Sequence, residues 1–499
     1  MKKHIRLSAL ILCLLMIAGA FAACQPTSDT SDVSGNTSEN GTEGGRYVAD
    51  LPEFKWDTSN ETYAKFKVCV YSNEMQSTYY SEEIGYGMYT TTDEVITDAV
   101  MNRNNYVTQL TGVEVVACAV PDVLPAVQND LVGGTQLYDM AMPFMPAAAT
   151  LAQEGSLYAL NDEKFADYID LSKPWWDQNA NASLSVDGKL FFTIGDISIM
   201  QKIVSTAITF NKEMYATYFP GEDSLYDVVK DGDWTLDLMV RLSKAVTQDN
   251  GDGVWDSNDQ WGVSSSYGDS NMFYLASGQS ICSKDSDDIP VFSMNNNASV
   301  NIIQNILTNL QLPNTWCIHA QQFDAANRWV ISLDIFGEGR CLFRTSAFSA
   351  IKKLRAYEEG VEFGIIPMPK MTAEQEDYYT PCSARYSYAV VIPNNVADAE
   401  FSAYMTELLC CEGKNYIADA YYETTLKSRD ARDDESEEML DLIFSNVVYD
   451  VGYIYNFGSA SNLLENMMSI NSTDIASQLE TITPTVEAAI EETIENFRD

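Results

Sequence analysis

The stretch KFKVCVYS, residues 65–72, opens the run that decides the fold class. It is rich in β-branched and aromatic residues and bounded by polar ones, so it predicts a strand. TTDEVITDAVMNRNNYVTQL (91–110) follows, with Thr91 and Glu94 at capping-box spacing. Ile96, Val100, Val107 and Leu110 fall on one helical face, which predicts a helix. VEVVACAV (113–120) then predicts a strand, PDVLPAVQNDLVG (121–133) a short helix, LYDMAMPF (137–144) a strand and AAATLAQEGSLYAL (147–160) a helix. Alternating strands and helices of this kind build an α/β fold around a mostly parallel sheet with right-handed crossovers. Ligands of such sheets sit beyond the carboxyl ends of the strands, which singles out the loop at Pro143, Phe144, Met145 and Pro146.

The texture then changes. GKLFFTIGDISIMQKIVSTAITFNKEMY (188–215) predicts two long extended segments, a length suited to a hinge between two lobes. Helical periodicity returns in LDLMVRLSKAVTQ (236–248), VNIIQNILTNLQ (300–311), ANRWVISLDIFGEG (326–339) and SAFSAIKKLRAYEEG (346–360). Strands are expected in EFGIIPMP (362–369) and SYAVVIPNN (387–395). The last hundred residues read as helical apart from the aromatic run YDVGYIYNFGSAS (449–461). A folded part of roughly 450 residues is too long for a single core and implies two lobes.

At the other end, MKKHIRLSALILCLLMIAGAFAAC (1–24) has a basic start and an apolar stretch short for a membrane span. Ala22 and Ala23 precede Cys24, an arrangement that resembles a bacterial lipoprotein signal. The resemblance implies that 1–23 is a signal peptide and that Cys24 becomes the lipidated, palmitate-bearing first residue. Residues 24–45 hold one Val and no aromatic residue after the cysteine, so they predict a flexible tether. The expected location is the extracellular face of the cell membrane, reached by a lipid anchor.

The 72 acidic residues outnumber the 30 basic ones for a formal charge of −42, which disfavours nucleic acid and anionic lipid as partners. The eight cysteines left after Cys13 and Cys24 show no CxxC and no metal spacing. Cys69 and Cys118 sit in apolar runs, and neighbours Cys410 and Cys411 could bond only in a strained ring, so free thiols are expected. With His4 in the leader, His319 stands alone, which excludes a zinc site built on two or three imidazoles. A packed or surface polar role is the expectation for it.

LYDMAMPF with AQEGSLYAL, DGKLFFTIGD with ITFNKEMY, GDWTLDLMVRLSKAVTQDNGDGVWDSNDQWG, FGEGRCLFRTSAFSAIKKL, FGIIPMPK and SYAVVIPNN follow one another along the chain. Together and in this order they resemble an extracellular solute-binding protein of sugar ABC transporters, of the class related to maltodextrin-binding protein. The resemblance implies a two-lobed periplasmic-binding-protein-like α/β fold with hinge crossings and a ligand cleft between the lobes. Lobe one would take 62–200 plus 345–393, and lobe two 201–344 plus 394–499. The first crossing would fall near Ile199 to Ser205.

The segment TQDNGDGVWDSNDQWG (247–262) fits a twelve-residue calcium loop when Gly253 takes the sharp-turn position. Gln248, Asn250, Asp252, the Val254 carbonyl, Asp256 and Asp259 then fall at the ligand positions. Gln248 replaces the usual Asp, and Asp259 is one methylene shorter than the usual Glu. The expectation is weak, structural Ca2+ in the ~10⁻⁴–10⁻³ M range, against a solvated turn needing no ion.

Sugar sites combine stacking aromatics with planar polar groups. Trp175 and Trp176 in KPWWDQNA are candidates from their loop-like setting. The motif order of the resemblance adds Phe144, Tyr267, Tyr386, Tyr455 and Phe457, with Arg344 in CLFRTSAF as a group that could bind hydroxyls or grip a carboxylate. The reading is a monomeric, lipid-anchored, non-enzymatic receptor that captures a saccharide by lobe closure and delivers it to ABC permease subunits. The alternatives are a sensor or adhesin lipoprotein on the same fold, or a glycoside hydrolase using paired carboxylates. The overall acidity leans toward neutral saccharides and disfavours anionic substrates such as polyuronates or nucleotides, yet Arg344 and Arg385 keep acidic sugars open as ligands, and a peptide is a further alternative.

Overall fold

The structure, a computed structural model, describes residues 42–43, 45–74, 78–85, 94–311, 316–323, 326–354, 357, 360–422 and 434–498. Cys24, the leader 1–23, nearly all of the linker 24–45 and Thr91 of the expected capping box lie outside the described residues. From Arg46 onward the chain forms one compact unit.

The first sheet follows the predicted alternation. It contains β1 (Lys65–Tyr71), then α1 (Glu94–Thr111), β2 (Glu114–Val120), α2 (Val123–Gly133), β3 (Met140–Ala141) and α3 (Met145–Gln153). The strand order is β2-β1-β3, with both pairings parallel. Ile96, Val100 and Val107 of α1 are buried as their spacing requires, whereas Leu110 is exposed. Asp122 caps α2 by accepting from the amide of Leu124, and Gly134 ends it in the left-handed region. The segment SLYAL continues no helix: Leu157 bridges Pro393 in extended form. Residues 387–393 run antiparallel along this side, with Ala141 bridging Val391 and Phe144 bridging Tyr388.

The second sheet has five strands: β4 (Thr206–Asn211), β5 (Trp261–Ser265), β6 (Cys317–His319), β7 (Cys341–Ala347) and β8 (Phe363–Ile366), in the order β6-β5-β7-β4-β8. β5 pairs in parallel with β6 and β7, while β4 runs antiparallel to β7 and β8. Helix α4 (Leu236–Val246) is capped by the Thr235 hydroxyl and packs on β5. The fit is tight, because a Cβ added at Gly262 would lie 2.3 Å from the Cβ of Ser243. Helix α5 (Asp269–Ala276) follows β5, and α6 (Arg328–Gly337) packs on β7, tied to β5 by the Ser264–Ser332 hydroxyl pair at 3.0 Å.

Two expectations need correction. The crossing near Ile199 to Ser205 is not extended: it contains a one-turn helix, Met200–Ile203. Buried Glu83 accepts from the Ser198 hydroxyl and the Ile199 amide, and Ser198 in turn accepts from Met200, which fixes that turn. The division of lobes also differs from that expected. Residues 345–347 and 363–366 belong to the second sheet through their hydrogen bonds to β4, not to lobe one. Conversely α7 (Ala399–Gly413) packs against α1 of the first sheet, not lobe two. Gly413 lets α7 also approach the segment after Gly195, since a Cβ there would stand 2.2 Å from the Asp196 carbonyl. The helix Asp434–Ser445 returns to the second sheet, against β8.

All eight cysteines from Cys69 to Cys411 are free, and all but Cys118 are buried. Burial raises their thiols above the ordinary value, Cys69 to about 12.

Candidate functional site

Between the two sheets lies a cleft of about 380 Å³. Its floor comes from the second sheet: Thr206 on β4, Ser265 at the end of β5, and Arg344, Thr345 and Ser346 on β7. Tyr79, Ser383, Arg385 and Tyr386 enter from segments beside the first sheet, while Arg328 and Trp329 enter from the start of α6. Tyr79 and Tyr386 stack with centroids 4.1 Å apart and planes 16° from parallel. Trp329 is 53% exposed at the cleft wall, a large aromatic ring left half open to solvent. Aromatic planes interleaved with hydroxyls and guanidiniums match the C–H faces and hydroxyl rings of a sugar.

The electrostatics of the floor centre on Arg344. Strand pairing sets its backbone opposite Ser264 on one side and Thr209 on the other, in mid-sheet. Its Nη1 donates to the Ser346 hydroxyl at 2.8 Å and to the Thr345 carbonyl at 3.3 Å. Burial draws the guanidinium below its ordinary value, with the Asp269 charge opposing. Asp269 itself accepts from the Ser266 amide at 2.8 Å and the Ser265 hydroxyl at 3.0 Å. Arg385 at the rim is paired with Glu465 at 2.8 Å.

No family model matches the sequence, and no curated protein matches it. Solved structures do match. A cyclo/maltodextrin-binding protein in complex with maltotetraose is similar over 87% of this chain and 96% of its own, at 16% identity and a TM-score of 0.54. UgpB from Mycobacterium tuberculosis in complex with glycerophosphocholine is similar over 86% of this chain and 99% of its own, at 12% identity and a TM-score of 0.53. A sugar transporter from Rhizobium etli in an open conformation follows at 12% identity and 0.52, over 87% and 99%. The chain has the two-lobed periplasmic-binding-protein fold.

Within the binding-protein fold the expected ligand residues divide sharply. Arg344 and Tyr386 both line the cleft. Phe144 is half-buried behind them, its ring edge-on to Tyr386 at 5.7 Å and stacked on Tyr71 at 4.1 Å. Tyr267 lies between the lining residues Ser266 and Gly268, but its ring packs on His319 at 5.0 Å. Trp175 and Trp176 require correction: they are 1% and 2% exposed, packed in the core, and neither lines this cleft. Both indoles donate to Glu407, at 3.0 and 2.8 Å. Tyr455 and Phe457 are likewise buried, stacked on each other at 5.3 Å. The late aromatic run instead sends Tyr453 to the cleft, two positions earlier.

Tyr79, Arg328 and Trp329 of the cleft were not singled out from sequence. No separate signal in the sequence marks Trp329: in ANRWVISLDIFGEG it stands three and seven residues before buried Ser332 and Phe336, on their side of the helix, so periodicity alone reads it as core.

His319 is fully packed. Its Nε2 meets the Leu310 carbonyl at 2.6 Å, and burial lowers its pKa to about 4, so it is neutral at ordinary pH.

The acidic loop 248–259 is held by its own amides. Asp249 accepts from Gly251 and Gly253, Asp252 from Val254, Asp256 from Asn258, and Asp259 from Asn250 and Asp256. Gln248 forms an antiparallel bridge with Gln260 that closes the loop. Among the described residues no three carboxylates, histidines or cysteines stand close enough to hold an ion. An ion would have to draw the second oxygens of Asp252 and Asp256 inward, and those oxygens accept no amide of the loop.

Proposed function

We propose that this protein is the substrate-binding component of an ABC importer, capturing a saccharide between its lobes and presenting it to permease subunits. The observation that carries the reading is the cleft itself, in which the Tyr79–Tyr386 stack and exposed Trp329 face a floor of hydroxyls and guanidiniums. The similar structures bound to maltotetraose or described as a sugar transporter support it. Ligand would act by stabilising the closed arrangement of the lobes. The receptor would act without catalysis, a reading supported by similar proteins described by what they bind or carry.

The finer parts of the reading rest on sequence. Cys24 would anchor the chain by lipid to the extracellular face of the membrane, with 1–23 removed and the chain monomeric. Loop 248–259 would take Ca2+ weakly and as a brace, supported by oxygen ligands at alternate positions and by the free oxygens of Asp252 and Asp256.

A thermal-melt screen of the purified protein against neutral, acidic and amino oligosaccharides tests the reading. A ligand at about 100 times its Kd adds about 2.7 kcal/mol, enough to raise Tm visibly. A shift with saccharides supports the receptor; product formation on the same panel would replace it with a hydrolase.

A further inference from the structure

The unusual group in the cleft is a buried cation that makes no ion pair among the described residues. In a chain of 30 basic and 72 acidic residues, an arginine should find a carboxylate easily. Arg46 pairs with Glu412, Arg241 with Glu222, Arg385 with Glu465 and Arg498 with Asp187. Arg344 is only 8% exposed and makes no ion pair among the described residues. Its Nη1 is used, but its Nε is buried with no acceptor, and no hydrogen bond from Nη2 is found among the described residues. The nearest carboxylate, on Asp269, is committed to Ser265 and Ser266.

A guanidinium left in this state is costly, because desolvation is offset neither by a charge nor by full hydrogen bonding. The free Nε–Nη2 edge is the one that matches two oxygens of a carboxylate or similar oxyanion in parallel. A second guanidinium, Arg328, lines the same cleft beside Trp329, with its Cζ 5.5 Å from the indole centroid and no ion pair among the described residues. The cleft thus carries three arginines against Asp269 and Glu465, a local excess of positive charge within a strongly negative molecule.

We propose that the ligand of this cleft is a saccharide carrying an oxyanion, which docks on the unpaired Nε–Nη2 edge of Arg344 with Arg328 as a second cationic contact. The inference rests on the saccharide-receptor reading and adds the charge of the ligand to it. Neutral sugars would leave Arg344 buried and unpaired in the closed state, so the site discriminates against them. A carboxylate of a uronic acid and a sulfate ester share the required chemistry.

The test is isothermal titration of the full-length protein with three probes of similar size: a trimer of galacturonic acid, a neutral galactose trimer and a sulfated galactose trimer. The acidic probes should bind at least about tenfold tighter than the neutral one and weaken as salt rises. Preference for the galacturonate identifies a carboxylate ligand, and preference for the sulfated trimer a sulfate ester. Arg344→Gln should erase the difference between charged and neutral probes. Arg328→Gln, at a half-buried helix start where folding is not at stake, should narrow it by several-fold. A neutral trimer binding as tightly as both acidic ones overturns the inference while leaving the receptor reading intact. Failure of all three probes, in folded protein, overturns both.

Discussion

Trp176 donates its indole N–H to the Glu407 carboxylate at 2.8 Å, across 231 positions of sequence. Trp175 donates to the other oxygen at 3.0 Å, so two adjacent indoles grip one buried acid from helix α7. Burial raises the Glu407 carboxyl to about 8, while the two indole bonds, Trp176 first, pull it down. A pKa raised above the ordinary 4.5 means that the folded state holds its proton more tightly than the unfolded chain. The stabilisation is complete below that ordinary value and is lost as pH climbs toward 8. Asp450, raised to about 7 by burial, acts in the same direction. Stability should fall between pH 5 and pH 8.5, with Glu407 accounting for an amount on the order of 3 kcal/mol. Melting curves across this range for wild type and Glu407→Gln check it: the variant should be less stable at pH 5 but flatter with pH. Parallel curves would remove Glu407 from the account.

The same contact makes Trp176 a stability residue. Trp176→Phe leaves Glu407 short of a donor in a buried site and should cost about 1–3 kcal/mol. Ligand affinity should be unchanged, measured by titration with whichever saccharide shifts the melt. A large loss of affinity at full stability would return Trp176 to the ligand site.

Exposed Trp329 should show the opposite pattern. Trp329→Ala removes a stacking face that covers no core, so denaturant unfolding should move by less than about 0.5 kcal/mol. Saccharide affinity should drop by about tenfold or more. Unchanged binding would place the sugar elsewhere in the cleft.

Gly413→Ala tests the contact between α7 and the segment after Gly195. The added Cβ would meet the Asp196 carbonyl at 2.2 Å and its carbon at 2.6 Å, backbone atoms that cannot swing aside. A loss of about 1–3 kcal/mol is expected in chemical denaturation, despite the better helix propensity of alanine. A neutral or stabilising result would show that the two elements part easily.

Calcium titration tests the acidic loop. Tm should rise with a half-effect in the ~10⁻⁴–10⁻³ M range, and a concentration ten times Kd adds about 1.4 kcal/mol. Asp252→Asn combined with Asp256→Asn should abolish the rise, and magnesium should not reproduce it. No rise at all would make the loop an ion-free turn held by its Asx hydrogen bonds.

The first sheet was legible because each of its elements carries its own signal. KFKVCVYS is β-rich between polar ends, and α1 buries Ile96, Val100 and Val107 at helical spacing. The turn at 248–259 has a local cause as well, since its Asp side chains accept from amides within the loop. The crossing at Met200–Ile203 was not, since its turn depends on Glu83, more than a hundred residues earlier. Lobe membership of β7 and β8 was also hidden: a strand's partner is fixed by hydrogen bonds to distant backbone, and no residue type within CLFRTSA names it.

The sequence by itself determined an α/β chain opening on alternating strands and helices, an acidic composition and free thiols. Local pattern suffices there, because period and composition act within a few residues of each other. Which aromatics meet a ligand was decided only by tertiary structure. Trp175 and Trp176 sit in a loop-like polar stretch yet are sealed by Glu407, while Trp329 sits in a helix yet faces the cleft. Exposure belongs to the packing of remote elements, and the unpaired edge of Arg344 appears only once β4, β5 and β7 are laid side by side.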